Sequence, residues 1–200
     1  MKAKADKSVG SIVCNLQESL SDRLRDWVID VNKVGFPVDG DDEIDDDFTN
    51  LFTSELIWLT YERIWSSIRS VAEFGYKPMI LIAADDTDPD VPIAMIEFYT
   101  EKKFRSGYVF EVDNEVPFTE DELEALAKPL NNLSDKLVDA INNFQEHEDV
   151  DNAIELYCYF DPVRKLIRSL IALRLIVGIV PTKEGKLKFS VHTVASIKEK

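Results

Sequence analysis

Residues 79–100 read MILIAADDTDPDVPIAMIEFYT: two apolar runs, Met79–Ala84 and Pro92–Thr100, on either side of an acidic segment, Asp85–Asp90. These runs, with Tyr108–Val112 further on, are short and rich in Ile, Val, Tyr and Phe, and the spacer supplies Asp and Pro, which favour tight turns through local hydrogen bonds and a fixed φ. Strands joined by so short a connection pair antiparallel. A third run, Tyr108–Val112, follows a turn-prone Glu101–Gly107 and extends the pattern into a meander.

Outward from that meander the periodicity becomes helical. Val13, Leu16, Leu20, Leu24, Trp27, Val28 and Val31 recur at steps of three and four between charged residues, predicting an amphipathic helix over residues 13–34. Gly35 and Pro37 end it, and an acidic loop, Asp39–Asp47, leads to a second helix from Asp47 or Thr49 to Phe74, stopped by Gly75. On the other side, Thr119 and Glu122 have capping-box spacing and start a helix. Pro129 is expected to break or kink it before Leu133, Leu137, Ile141 and Phe144 resume the pattern. Ile154–Phe160 reads as a strand, and Asp161 followed by Pro162 as the start of a helix reaching about Leu175. Residues 176–181 and 186–194, flanking Lys183, Glu184 and Gly185, read as a hairpin. Helices on both sides of an uninterrupted meander indicate an α+β fold. The expectation is one compact domain over residues 1–200: an antiparallel meander of three to five strands packed against several helices, with a C-terminal helix and hairpin.

The composition suits such a domain. Of 200 residues, 45% are apolar, enough at this length to bury ~70% of the unfolded surface. With 7 Gly and 8 Pro the chain is neither collagenous nor low in complexity. Cys14 and Cys158 are too few for a disulfide framework and too far apart for a zinc motif, and read as reduced, packed thiols. Leu166–Val180, interrupted by Arg168, Ser169 and Arg174, falls short of the ~20 residues that span a bilayer. Lys2, Lys4 and Lys7 precede no apolar stretch of signal-peptide length, so the expected setting is intracellular.

Charge is the strongest functional signal. Lys plus Arg number 23 and Asp plus Glu 38, a net charge of −15, which opposes general affinity for nucleic acid or anionic lipid. Residues 161–200 hold nine basic residues against three acidic ones, so residues 1–160 carry −21. The basic segment could lie against the acidic body and reduce its self-repulsion. The densest cluster is Asp39, Asp41, Asp42, Glu43, Asp45, Asp46 and Asp47, with Lys33 and Arg63 the nearest cations in sequence. One reading is a solvated loop whose last acids sit at a helix N-terminus. The other is a carboxylate patch that stands in for phosphates on a basic groove. Acids in residues 85–90, 111–124 and 146–151 extend that patch if the fold gathers them. Adaptation to high salt fits poorly with 15 Lys to 8 Arg.

No catalytic signature stands out. Asp86, Asp88, Asp90, Ile93 and Glu97 fall at positions 1, 3, 5, 8 and 12 of a calcium loop, but Val91 replaces the turn glycine and the flanks read as strands. Pro89, Asp90, Glu101, Lys102 and Lys103 spell a loose nuclease string. Asp90 and Glu101 would then stand at opposite ends of one strand, ~35 Å apart at ~3.3 Å per residue, although both must touch one metal. His147 reads as an exposed helix-end residue and His192 as a solvent-face strand residue; neither belongs to a nucleophile motif. Arg164, Lys165, Arg168, Lys183, Lys186 and Lys188 could touch phosphates, but Phe189 is the main aromatic among them.

The sequence therefore suggests a non-enzymatic protein, without cofactor, that binds a basic protein surface such as that of a nucleic-acid-binding protein or nuclease. Inhibitors, immunity factors and nucleic-acid mimics, phage-type anti-defence proteins among them, work in this way. The alternatives are a metal-binding protein or metal-dependent enzyme centred on Asp86, Asp88, Asp90 and Glu97, and a structural assembly subunit.

Overall fold

The computed structural model describes residues 21, 24–38, 40, 43–53, 77–85, 91–100, 103–104, 118–181 and 186–193. In chain order the elements are α1 (residues 24–33), α2 (Asp46–Thr53), β1 (Lys77–Ala84), β2 (Pro92–Thr100), β3 (Lys103–Phe104), α3 (Glu120–Glu146), α4 (Val150–Ala172), β4 (Ile176–Pro181) and β5 (Leu187–His192). The fold is α+β, as the periodicities indicate. The strands form one sheet in the order β3-β2-β1-β4-β5, and every pair in it is antiparallel. β3 occupies part of the segment expected to be a turn; α2 is the described start of the helix expected from Asp47 or Thr49 to Phe74, and the rest of that helix, residues 54–74, lies outside the described residues with the expected strand 108–112.

β1 has almost no polar residue because both of its faces are buried. Ile80, Ile82 and Ala84 join the main core with Ala94 and Ile96 of β2, while Met79, Leu81, Ala83, Met95 and Ile176 form a smaller cluster on the opposite face. The main core continues into the helices through Val28, Phe48, Phe52, Phe144, Leu156 and Phe160.

α3 runs unbroken through Pro129. Leu123, Ala127, Leu130, Ser134, Leu137, Ala140 and Phe144 are buried along one stripe that the proline does not interrupt. Pro129 itself faces solvent, so the carbonyl left unpaired by its missing N–H can bond to water. Thr119 closes the expected capping box: its amide and hydroxyl both donate to Glu122 Oε2 at 2.8 Å, and its Oγ1 accepts from the Glu122 amide at 3.3 Å. The bond from the Thr119 amide, and then that from its hydroxyl, hold the Glu122 carboxyl below its ordinary value against a small opposing effect of burial.

The segment 150–172 corrects two expectations. Ile154–Phe160 is not a strand, and Asp161 with Pro162 is not a helix start; both lie inside α4. Ala153, Leu156, Phe160, Val163, Leu170 and Ile171 fall on one helical stripe whose burial outweighs both the β-prone composition and the proline. The true N-cap is Asp149, whose Oδ1 accepts from the Asn152 amide at 2.8 Å. At the far end Leu175 N donates to Leu170 O and Arg174 N to Ile171 O, and Arg174 takes the left-handed conformation, φ 59°, that such a turn requires.

β5 lies at the edge of the sheet, and α3 supplies its missing partner. Asn131 Oδ1 accepts from the Phe189 amide at 2.9 Å while Nδ2 donates to the Phe189 carbonyl at 2.9 Å. Ser134 Oγ donates to the Leu187 carbonyl. Side chains thus bond the exposed strand edge as a neighbouring strand would, which blocks further pairing there.

Candidate functional site

The acidic segment before α2 is braced at its base. Val38 and Ile44 form an antiparallel bridge, and the Asp45 amide donates to the Pro37 carbonyl at 2.8 Å. Asp45 Oδ1 accepts from the Phe48 amide at 3.0 Å, so Asp45 caps α2, and Asp46 and Asp47 occupy its first turn. Carboxylates there gain roughly 0.3–1 kcal/mol each from the helix dipole. Phe48 and Phe52 anchor the helix from below: Phe48 packs against Phe144 of α3 with ring centroids 5.7 Å apart, and Phe52 against Phe160 of α4 at 4.9 Å. Trp27 Nε1 of α1 donates to the Leu51 carbonyl at 3.2 Å.

This bracing leaves Glu43, Asp45, Asp46 and Asp47 exposed, and none of the four makes an ion pair among the described residues. Asp39, Asp41 and Asp42 lie outside those residues. Asp30, Lys33, Asp45, Asp47 and Asn50 line an open depression of about 550 Å³ between the end of α1 and the start of α2. Lys33 is the cation among the described residues that lines this depression, and it is exposed.

The fold divides the other acids between two ends. The Phe48–Phe144 contact sets Asp45–Asp47 beside the α3–α4 turn, where Glu146, Glu148, Asp149 and Asp151 are all exposed. Glu120, Asp121, Glu122 and Glu124 begin α3, 27 residues long, and so lie ~35 Å or more from that turn at ~1.5 Å per residue. Asp85 belongs with them: Ile82 pairs with Val177, which sets the end of β1 beside the C-terminal turn of α4. The sequence clusters 43–47 and 146–151 thus share one end, while residues 85 and 120–124 stand at the other.

The basic segment is partly used internally. Arg164 of α4 donates through Nη1 to the Val34 carbonyl at 2.7 Å and more distantly to those of Val31 and Asn32, closing the C-terminal end of α1. Its Nη2 and Lys165 Nζ each reach Asp161 at 2.6 Å. Burial pushes the Asp161 carboxyl up, but the bonds from Lys165 and Arg164 and their charges outweigh it and hold the group below its ordinary value. Lys186 pairs with Asp135 at 3.1 Å, a link between the basic segment and the acidic body.

Asp86, Asp88 and Asp90 lie outside the described residues, and Glu97 stands on β2 opposite Met79. Among the described residues no three His, Cys, Asp or Glu side chains converge on a metal-binding point. His147 is the exposed C-cap of α3. His192 lies on the expected strand face, opposite buried Phe189 and Val191, but is half-buried there rather than fully exposed, with Nε2 2.7 Å from Ser190 Oγ. Gly178 makes room for that pair, since a Cβ there would lie 2.6 Å from Ser190 Oγ and 3.1 Å from His192 Nε2. Cys158 is a free thiol but an exposed one rather than packed, because its position falls on the solvent side of α4; Cys14 lies outside the described residues.

Periodicity gave no sign of a cavity of about 150 Å³ between α1, α4 and the sheet. It is lined almost wholly by apolar atoms, from Leu24, Val28, Phe52, Ile82, Phe160 and Phe189 among others, with Asn32, Arg164 and Arg168 the polar exceptions among the described residues. Among the described residues no helix is long and apolar enough to cross a membrane. No protein-family model matches the chain, and neither the curated proteins nor the solved structures include a significant match.

Proposed function

We propose that the chain acts as a non-enzymatic interaction protein whose carboxylates occupy a basic, nucleic-acid-binding surface of a partner protein, as an inhibitor, immunity factor or nucleic-acid mimic does. The observation that carries this reading is the state of Glu43, Asp45, Asp46 and Asp47: exposed, without ion pairs among the described residues, and mounted on a helix start fixed from beneath by Phe48 and Phe52. Glu146, Glu148, Asp149 and Asp151 add to the same end. Exposed charge of one sign raises the encounter rate with a cationic groove, and a rigid mount limits the ordering entropy lost on docking. Fixed carboxylates accept the Arg and Lys hydrogen bonds that phosphates would otherwise accept.

The test is a pull-down from native lysate at low salt with the full chain as bait. A control bait carries Glu43→Gln, Asp45→Asn, Asp46→Asn and Asp47→Asn together; Asn at position 45 keeps a competent cap for α2. The expected result is a protein retained by the wild type, at least tenfold depleted on the control bait and displaced by added nucleic acid. Retention that survives the four substitutions, or that nucleic acid does not displace, overturns the reading.

A further inference from the structure

The apolar cavity between α1, α4 and the sheet has the features of a ligand site. We propose that it takes a small carboxylate with an apolar body of roughly six to eight carbons, the tail in the core and the carboxylate against Arg168. Size sets the first limit, because about 150 Å³ of partly open apolar space takes one molecule of benzene size or slightly larger. The lining sets the second: buried Leu24, Val28, Phe52, Ile82, Phe160 and Phe189 offer a tail no hydrogen-bonding partner.

The two arginines of the lining fix the sign of the head group. Arg164 is committed to Asp161 and to the carbonyls at the end of α1. Arg168, one turn further along α4, is exposed and makes no ion pair or hydrogen bond among the described residues. An exposed arginine that also lines a cavity lays its aliphatic stem along the wall and holds its guanidinium in water, where it can meet a carboxylate two oxygens at a time. The acid nearest in sequence on α4, Asp161, is already neutralised by Arg164 and Lys165. A cationic amphiphile would instead be drawn to the carboxylate end of this acidic molecule.

The full chain is to be titrated calorimetrically with octanoate, 1-octanol and octylamine in parallel. The expected result is saturable one-to-one binding of octanoate, at least threefold tighter than 1-octanol, with octylamine weakest. Arg168→Gln, which removes the charge, should bring octanoate down to the affinity of 1-octanol or below. Val28→Phe, which fills the cavity, should weaken both; its melting curve shows whether it folds, and if it does not, Arg168→Gln alone decides. Absence of saturable binding, equal or tighter binding of 1-octanol, or a preference for octanoate that persists in Arg168→Gln overturns the proposal.

Discussion

Phe52→Ala is expected to destabilise the protein by about 3–5 kcal/mol, the largest effect of any single substitution considered for this fold. Phe52 is 1% exposed and sits between two other rings, 4.6 Å from Phe48 and 4.9 Å from Phe160 by centroid. It joins α2 to α4, and its carbonyl accepts from Gln145 Nε2 of α3 at 2.9 Å. Truncation removes the transferred area and two ring contacts, the tilted one with Phe48 and the edge-to-face one with Phe160. It also enlarges the cavity that Phe52 already lines, so collapse around the new void cannot recover much of the loss. For a chain of this length the melting temperature should fall by roughly 6–20 °C, measured by circular dichroism. Because Phe52 mounts α2, partner retention at fixed temperature should fall with it even though no carboxylate has changed. A loss below about 1 kcal/mol would show that α2 is not held by this aromatic contact.

Arg164→Met is expected to cost about 2–4 kcal/mol. The methionine retains a similar apolar stem but leaves the α1 carbonyls of Val31 and Val34 without their donor and removes one of the two cations at Asp161. Lys165, at 71% side-chain exposure, keeps the remaining pair, so the cost stays below that of a fully orphaned buried charge. The pH dependence follows from the depressed Asp161 carboxyl. Its contribution to stability is complete above the unfolded-state value, about pH 4, and is lost as pH falls through the lower folded-state value. The gap between wild type and Arg164→Met, read by urea denaturation, should therefore be widest near neutrality and narrow as pH drops from about 5 towards 2. What persists at low pH reports the carbonyl bonds alone. A gap that widens on acidification would contradict this assignment.

How much of this was legible in the sequence differs by element. β1, β2 and the C-terminal hairpin were readable because their apolar runs are bounded by residues that turn the chain, and the α3 start because Thr119 and Glu122 form a local, self-contained signal. α4 was not readable. Its Ile154–Phe160 section has strand composition, and its helical stripe appears only when the pattern is followed straight through Pro162. The carboxylate cluster before α2 was visible as composition. Its alliance with residues 146–151, and the separation of residues 85 and 120–124, depends on the antiparallel course of α3 and α4 and on the Phe48–Phe144 contact. The cavity draws its wall from eight elements distant in sequence, so no local pattern announces it.

The most direct test of the carboxylate end is the salt dependence of its affinity for the retained partner, measured by calorimetry or surface binding over a range of monovalent salt. Steered docking of exposed carboxylates on a basic groove should weaken by at least about tenfold between roughly 50 and 300 mM salt, as the screening length shortens, with the loss mainly in the association rate. An affinity indifferent to ionic strength over that range would contradict it.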